Sequence, residues 1–467
     1  MTALSPLAMT FWAPASAQSK ARRLDKSRNN GENRSNKDCM RRYTVKPWWQ
    51  VMTIALIVPL LGLPLLTACG GGDDDDGGGT PTGTPTTTVP AKKVKITIGN
   101  HTDLTGPASV AMQTVNMGLE DVVRYYNDNN LIPGVEVEAL KYDGMLNPSR
   151  DIPGWQWLKE RGADLITAWF MLQPVTLGPL AAQDKMPLFV ANAPSKLLVT
   201  PGYTFATAPP SEDLMWNLIK WVIENDWDYQ TKGPAKVGLA ADEGGDPSGF
   251  SKAFEKYAAM YPDRMQWEGA QVIPVGSYLW ASAVEGLKDC DYIYVPNVWP
   301  MFVKDYAGAG HTKAKFLGSD SQMSFFKIGD DMKLWPKIDG MLFVAQSEWW
   351  GEDAEYPRFS EQLMSQYRSG SEDKIKADKG YNSVGNGMLM LEAIRNAAAA
   401  VGPENVDSQA IYEGAQSVAI SFDGLERFSF SPTKRIGVDR LAIYEADSAA
   451  KGTVRVSEWF PVERMPE

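Results

Sequence analysis

Side chains that commonly carry catalysis are scarce in this sequence and are not spaced for it. His101 and His311 are its two histidines, and His101 stands in a polar turn that follows an apolar strand pattern. An imidazole there can act as an acid or a base near neutral pH. No Gly-x-Ser-x-Gly elbow or metal-spaced histidine pair accompanies it, and the Gly-rich stretch 244–249 lacks the lysine of a phosphate loop. The pattern favours a protein that binds a small molecule over an enzyme, and we expect no cofactor and no metal ion.

Residues suited to binding stand at the ends of predicted strands. Asp320 closely follows the strand pattern 315–318, and Asn192 follows the pattern 187–191. A carboxylate can hold an ammonium group, and an amide side chain both donates and accepts hydrogen bonds. Trp169 and Phe170 end another strand pattern and favour stacking on an apolar or ring-bearing ligand, whereas the acidic loops favour a cationic group on it. For the two aromatic residues, a place in the core remains open.

The elements that position these residues alternate between strand and helix patterns from Val94 onward. The stretch Ile96–Ala108 runs from an apolar strand into a polar turn, and a helical pattern follows at Val110–Asn127. Two such series of similar length occur, one before and one after the break at Gly233-Pro234. They predict an α/β fold with two lobes, each built on a parallel sheet that is wound on both faces. Three further helical patterns and three antiparallel strand patterns follow.

The N-terminal region differs from this folded part. Residues 1–39 have a disordered composition, and residues 40–68 have the basic start and apolar run of a signal peptide, so we expect Met40 to be the true start. The run ends in Leu66-Thr67-Ala68-Cys69, which resembles the lipobox of bacterial lipoproteins. We therefore expect Cys69 to be lipidated and to anchor the protein to a membrane. Residues 69–93 begin Gly-, Asp- and Thr-rich and predict a flexible tether.

The charge distribution argues against nucleic acid as a partner. The sequence has 467 residues and a net charge of −11. Ten basic and three acidic residues precede Cys69, which leaves 36 basic and 54 acidic residues and a net charge near −18 for the rest. Phosphate recognition needs a basic surface, so we expect no nucleic acid partner. Cys290 is the one cysteine of the predicted folded part, so we expect no internal disulfide there.

The order of these motifs resembles that of the type I periplasmic solute-binding proteins of branched-chain amino acid ABC transporters. The resemblance runs from about Val94 to Pro461. It rests on Ile96-Thr97-Ile98-Gly99 with Leu104–Ala108, Tyr142-Asp143-Gly144 with Asn147-Pro148, Val237-Gly238-Leu239-Ala240 with Gly249-Phe250, and Phe316–Asp320. It implies two Rossmann-like, doubly wound lobes joined by three crossovers, with the ligand between them. Lobe 1 would hold residues 94–224, lobe 2 residues 225–350, helices 351–420 would return to lobe 1, and strands 421–467 would end at lobe 2 and the hinge.

The same resemblance marks binding positions, several of which carry unusual residues here. Trp169-Phe170 stand where the family often has a Ser-Ser pair for a ligand carboxylate, and Asn192-Ala193 stand where small and hydroxyl residues are usual. Asp320 matches an acidic residue that often holds the ligand amine. The remaining candidate contacts are Asp246, which aligns with a tyrosine that often covers the ligand, Trp299, which lies near another aromatic position, and Thr105 in the first turn. A solvated turn for Asp246 and a place in the core for Trp299 remain open.

The resemblance implies a lipid-anchored, extracytoplasmic substrate-binding protein of an ABC importer. Its partners would be permease subunits and a small-molecule ligand, which we expect to be an amino acid or a related small organic solute. Two alternatives stay open at this point. One is a ligand-binding subunit that feeds a separate sensor kinase or chemoreceptor, because this fold also serves receptors. The other is a secreted lipoprotein hydrolase.

Overall fold

The first series of strand and helix patterns forms a parallel sheet, which is the base of lobe 1. The computed structural model describes residues 93–467. The elements of this series are β1 (Val94–Thr102), α1 (Ser109–Asp128), β2 (Val135–Asp143), α2 (Asp151–Glu160), β3 (Leu165–Ala168), α3 (Gln173–Asp184), β4 (Leu188–Val190) and β5 (Thr204–Ala206). Their strands pair in the order β2-β1-β3-β4-β5. The predictions for residues 1–92, which are a disordered segment, a signal peptide, lipidation of Cys69 and a tether, fall outside the described range and stay predictions.

The strands of lobe 1 are buried on both faces because side chains alternate across a strand. Leu165 and Phe189 belong to the hydrophobic core that α1 shares, whereas Ile166 and Leu188 belong to a second core with α2 and α3. Strands covered on both faces have near-continuous apolar sequences, which is the pattern that predicts them here. The sheet therefore lies between two helical layers.

The second series builds lobe 2 in the same way. Its elements are α4 (Ser211–Asn225), α5 (Tyr229–Lys232), β6 (Ala235–Asp242), α6 (Pro247–Met260), β7 (Met265–Ile273), α7 (Ala281–Leu287), β8 (Tyr292–Tyr294), α8 (Trp299–Gly308), β9 (Lys315–Ser319), α9 (Asp320–Met323), α10 (Phe326–Asp331) and β10 (Leu342–Ala345). Strands β6 to β10 pair in parallel in the order β10-β9-β8-β6-β7. Ile293 and Phe343 point into one core of this lobe, and their neighbours Tyr292 and Val344 point into the other.

Helix α4 packs on lobe 2, although the sequence boundary at residue 224 assigns it to lobe 1. Its buried residues Met215, Leu218 and Val222 share a core with Val237 of β6 and Phe254 of α6. The boundary prediction is wrong at this point, because an amphipathic helix fits either sheet and its sequence does not say which one it covers. The first crossover between the lobes therefore precedes α4, at residues 207–210.

The chain then returns to lobe 1 through residues 346–354. The elements of this part are α11 (Glu355–Tyr367), α12 (Glu372–Ile375), α13 (Val384–Val401), α14 (Ser408–Ala415), β11 (Ala419–Phe422) and β12 (Leu425–Ser429). Helix α13 packs on α1 and α14, and its Leu391 joins the core of lobe 1. Strands β11 and β12 form an antiparallel hairpin whose Ile420 and Phe428 join that same core, as does Val438. The prediction that residues 421–467 lie at lobe 2 and the hinge is therefore wrong for residues 421–438.

The last strands complete the sheet of lobe 2. They are β13 (Arg440–Asp447), β14 (Gly452–Arg455) and β15 (Phe460–Pro461), and β13 pairs antiparallel with β10, β14 and β15. The third crossover thus lies at Asp439, between Val438 and Arg440. The predicted α/β fold with two doubly wound lobes and three crossovers is confirmed. Among residues 93–467, no helix combines the length and the apolarity that a membrane span requires.

Candidate functional site

A cavity of about 190 Å³ lies between the two lobes at the carboxyl ends of their strands. Lobe 1 contributes the start of α1 and the residues after β3, β4 and β5, and lobe 2 contributes the residues after β6, β8, β9 and β10. The wall is mainly apolar and includes Ala108, Met112, Val115, Trp169, Phe170 and Phe325. Ligands bind at this edge of open α/β sheets, because the loops that follow the strands converge there.

Trp169 and Phe170 form the aromatic wall that lobe 1 presents to the cavity. Both side chains are half-buried, and both line the cavity as the sequence predicts. The indole Nε1 of Trp169 donates a 2.7 Å hydrogen bond to Asn100 Oδ1, which fixes the plane of the ring. Asn100 in turn donates to Asn116 Oδ1 of α1 over 2.8 Å. The wall is thus preorganised for stacking, and ligand binding by these two residues stays a prediction.

Gln173, which sequence reasoning passed over, holds the backbone beneath this wall. Its Oε1 accepts hydrogen bonds from the backbone N–H groups of Trp169 and Phe170, each at 3.1 Å. Its Nε2 lies 2.8 Å from His101 Nδ1 and 3.3 Å from Asp151 Oδ1. Because two backbone donors require an acceptor, the amide oxygen must face them, and the amide nitrogen donates to His101 and Asp151. The helix start at Gln173 therefore locks the aromatic loop from below.

His101 is a buried support for this network. Burial lowers the pKa of His101 to about 4, so the imidazole is neutral and accepts through Nδ1. Burial also raises the pKa of Asp151 to about 6, and its Oδ1 lies 3.7 Å from His101 Nε2. The side chain of His101 is fully buried and does not line the cavity. His101 therefore helps to orient the amide of Gln173. It does not face the cavity, so it cannot act on a ligand there as an acid or a base.

Asp320 lines the cavity, but it already has a cation. Its Oδ1 lies 2.7 Å from Lys379 Nζ, and its Oδ2 accepts from the backbone N–H of Gln346 over 2.8 Å. Lys379 Nζ also donates to the carbonyl oxygen of Ser347 over 2.6 Å and lies 5.3 Å from the centroid of the Tyr444 ring. The lysine side chain is only 2% exposed. The ammonium group of Lys379 therefore binds Asp320, where the family resemblance predicts the amine of the ligand.

The ion pair joins the two lobes. Asp320 begins α9 of lobe 2, whereas Lys379 directly precedes a 3₁₀ turn, Gly380–Ser383, that packs on α1 of lobe 1. Sequence reasoning missed Lys379, because a lysine between Asp378 and Gly380 has the local sequence of an exposed turn residue. Only its three-dimensional neighbours distinguish it.

Asp242, at the end of β6, is a second carboxylate in the lining. Its Oδ1 accepts from the backbone N–H of Gly244 over 2.9 Å, and no lysine or arginine of residues 93–467 forms an ion pair with it. Burial raises its pKa, and the Gly244 bond opposes that shift. The sequence prediction named Asp246, four residues later in the same loop.

Asp246, Trp299 and Thr105 do not line the cavity. Asp246 caps α6, where its Oδ1 accepts from the Gly249 N–H over 3.1 Å. Trp299 is fully buried in the core of lobe 2 and donates through Nε1 to the carbonyl oxygen of Gln322 over 3.0 Å. Thr105 is exposed, and its hydroxyl donates to Asp143 Oδ2 over 2.6 Å. Other residues of the same loops and of the start of α1 line the cavity instead, namely Asp242, Val298 and Ala108.

Asn192 and Ala193 also lie outside the lining, and their neighbour Ala191 takes that place. Asn192 donates to the carbonyl oxygen of Pro209 and accepts a 3.2 Å hydrogen bond from the Ser211 hydroxyl. Its side chain therefore secures the first crossover. Ala193 is completely buried in the core of lobe 1. Of the predicted ligand contacts, the structure brings Trp169, Phe170 and Asp320 together at the cavity.

Comparisons with known proteins agree with this geometry. The sequence profile of the periplasmic binding protein family matches residues 95–452. Among solved structures, the chain is similar to a branched-chain amino acid ABC transporter protein from Thermus thermophilus with bound valine, with 18% identity, 79% of this chain and 97% of that chain covered, and a TM-score of 0.66. A search of the curated proteins found no match.

Two further solved structures have the same fold and different ligand descriptions. A fatty acid ABC transporter substrate-binding protein from Thermomonospora curvata has 18% identity, covers 79% of this chain and 93% of its own, and gives a TM-score of 0.65. A solute-binding protein from R. palustris in complex with benzoate has 15% identity and a TM-score of 0.62. The match covers 78% of this chain and 96% of that chain. At these identities the likeness defines the fold and leaves the ligand open.

Proposed function

This chain belongs to the periplasmic binding protein family, and from that premise we propose that it is the substrate-binding protein of an ABC importer. It binds a small organic solute between its lobes and presents the closed form to permease subunits. The observation that carries the proposal is the cavity, which residues at the strand ends of both lobes line together. A ligand that touches both lobes favours closure, because only the closed form makes both sets of contacts.

The N-terminal sequence supports an extracytoplasmic place for this function. The lipobox-like Leu66-Thr67-Ala68-Cys69 follows an apolar run, and the sequence after it is a polar tether. A lipid on Cys69 holds the cleft at the outer face of a membrane, within reach of a permease. Mass spectrometry of the mature N-terminal peptide tests this part, and a mature chain with an unmodified Cys69 would overturn it.

The proposed ligand is a small organic solute. The sequence predicts an amino acid or a related compound. The apolar wall supports a solute with an apolar or ring-bearing body. The related structures described with valine, a fatty acid and benzoate are consistent with this range and do not narrow it.

A thermal-shift screen of the purified protein against amino acids, amides, aromatic acids and polyamines tests the proposal. A ligand present at a hundred times its Kd adds about 2.7 kcal/mol to the free energy of unfolding and raises Tm. Trp169→Ala should weaken binding of the hit at least tenfold, because it removes the aromatic wall. Trp157→Ala is the matched control, since that half-buried tryptophan of lobe 1 packs on Tyr142 and Arg161 away from the cavity.

Two results would contradict the proposal. If Trp169→Ala and Trp157→Ala weaken binding equally, the ligand does not bind in the cavity. Recovery of a product in place of the added compound would show turnover and favour the hydrolase alternative.

A further inference from the structure

An α-amino acid has two ionised groups, a carboxylate and an ammonium. A cleft that binds an amino acid must provide a partner for each of them. A buried charge without a partner costs several kcal/mol, so a carboxylate needs a cation or free N–H donors and an ammonium needs a free acceptor. The two places that the resemblance assigns to these groups are the loop at Trp169-Phe170 and the carboxylate of Asp320. In this protein, both are filled by the protein's own side chains.

The ammonium place is filled by Lys379. An ammonium has three N–H donors, and Lys379 Nζ has three neighbours: Asp320 Oδ1 at 2.7 Å, the Ser347 carbonyl oxygen at 2.6 Å and the face of the Tyr444 ring at 5.3 Å. The second oxygen of Asp320 is taken by the Gln346 N–H. A ligand amine that approached Asp320 would have to displace a buried lysine, which would then lose its counter-ion.

The carboxylate place is filled by Gln173. Its Oε1 accepts from both backbone N–H groups that could otherwise bind a carboxylate, those of Trp169 and Phe170. The amide cannot rotate away without losing its bonds to His101 and Asp151. Among the described residues that line the cavity, Lys379 is the one cation, and Asp320 neutralises it.

Among the described residues that line the cavity, Asp242 is the charged residue without an ion-pair partner. It lies in the half of the wall that lobe 2 provides, and one of its oxygens already accepts from Gly244. An anion in this cavity would face Asp242 without any free cation to offset the repulsion. A group that donates a hydrogen bond would instead satisfy the carboxylate.

We propose that the ligand is an apolar or aromatic solute without a carboxylate, which donates an amine or amide N–H to Asp242, and that Lys379 and Gln173 together exclude amino acids. This assignment rests on the proposed function and names the ligand class for the same cleft. The amine of the ligand lies at Asp242, on the β6 loop, and away from Asp320.

The first test compares compounds that differ only in their charged group. Benzylamine, benzamide, benzoate and phenylalanine share a ring, and isoamylamine, isovaleramide, isovalerate and leucine share a branched chain. In each series, calorimetry should show the amine or the amide binding at least tenfold more tightly than the acid or the amino acid. Two results would overturn the assignment. One is tighter binding of benzoate, isovalerate, leucine or phenylalanine, and the other is no binding of any of the four amines and amides. Either result would leave the proposed solute-binding function intact. Conversion of any compound would instead count against the proposed function.

The second test locates the amine. Asp242→Asn should weaken amine binding at least tenfold, whereas Glu243→Gln, which alters the exposed next residue, should leave it unchanged. Equal effects of the two variants would overturn the role of Asp242.

The third test asks whether Lys379 fills an ammonium place. Lys379→Met should raise the affinity for benzylamine at least tenfold, because it frees Asp320, and Lys376→Met should have no effect because Lys376 pairs with Glu361 outside the cavity. The double variant Asp320→Asn/Lys379→Met removes both charges of this ion pair and leaves Asp242 as it is, so it should bind benzylamine like the wild type. An unchanged affinity in folded Lys379→Met would overturn this role. If Lys379→Met does not fold, the double variant decides. A raised affinity of the double variant for benzylamine would overturn the role of Lys379, and a wild-type affinity would support that role.

Discussion

Asp378 is a buried carboxylate that directly precedes Lys379 in the chain. Its Oδ1 accepts from the Thr114 hydroxyl over 2.9 Å and from the Gly380 N–H over 2.8 Å. These bonds favour the ionised form, but burial outweighs them and raises the pKa of Asp378 to about 7. The native state therefore holds a proton that the unfolded chain releases near pH 4.

This proton gives the free energy of unfolding a defined dependence on pH. Between about pH 4 and pH 7 the native state binds more protons at this site than the unfolded state, so the contribution of Asp378 falls as pH rises, by about 1.4 kcal/mol per unit of pKa difference. Asp378→Asn retains the acceptor and removes the titration. Urea unfolding should show the variant close to wild type at pH 4.5 and more stable than wild type at pH 7.5.

Asp373→Asn on α12 is the control for this prediction, because that side chain is exposed. It should leave the difference between pH 4.5 and pH 7.5 as it is in the wild type. If Asp378→Asn also leaves that difference unchanged, Asp378 is already ionised at pH 4.5 in the native state.

At the residue scale, sequence predicts the parts of the site that depend on short stretches of chain. Trp169, Phe170 and Asp320 come at or just after strand ends, and the carboxyl ends of parallel strands meet at one edge, so all three reach the cavity. Trp299 lies beyond the first loop residues and turns into the core. Lys379 could not be found in this way, because its burial depends on a carboxylate from the other lobe.

At the element scale, the contact between α1 and the turn Gly380–Ser383 positions Lys379. Gly118 of α1 is buried against this turn, and a Cβ there would overlap Ser383 Oγ and the carbonyl oxygen of Tyr381. The Ser383 hydroxyl also donates to the carbonyl oxygen of Val115 over 2.6 Å. The helix and the turn approach this closely because residue 118 has no side chain.

Gly118→Ala should therefore both destabilise the protein and disturb the cleft. The added methyl meets backbone, which yields little, so the free energy of unfolding should fall by about 2 kcal/mol and ligand affinity should fall with it. Gly308→Ala is the matched control in α8, where a Cβ has open space and helix propensity should stabilise by up to about 1 kcal/mol. Chemical denaturation and calorimetry measure both effects. A Gly118→Ala protein with wild-type stability would show that the turn can move freely.

The same scale explains which elements sequence predicts well. Strands such as β4 and β9 are recognised by apolar runs that are bounded by turn residues. The patterns 187–191 and 315–318 predict them, and the observed bounds are Leu188–Val190 and Lys315–Ser319. The partner of an element is harder to predict. Helix α4 and the hairpin of β11 and β12 join the lobe opposite to the predicted one, because amphipathic patterns specify a buried face and leave its partner open.

At the scale of the whole molecule, the two lobes are in contact across the cleft. Ala111 of α1 in lobe 1 belongs to a hydrophobic core of lobe 2, and Met171 of lobe 1 belongs to the other core of lobe 2. The ion pair between Asp320 and Lys379 adds a polar contact between the lobes. We expect these contacts to form on closure and to break when the three crossovers bend as a hinge.

Ala111→Trp should hold the lobes apart, since an indole cannot enter a place where the alanine side chain is 4% exposed. Small-angle X-ray scattering should then show a radius of gyration that is larger than that of the ligand-bound wild type and that does not decrease when ligand is added. Affinity should fall because the open form makes contacts with one lobe only. Val110→Trp places the same indole on the adjacent residue of α1, which is 44% exposed, and it should close like the wild type. If Ala111→Trp still contracts with ligand, closure does not pass through this contact, and α1 must meet lobe 2 differently in the bound form.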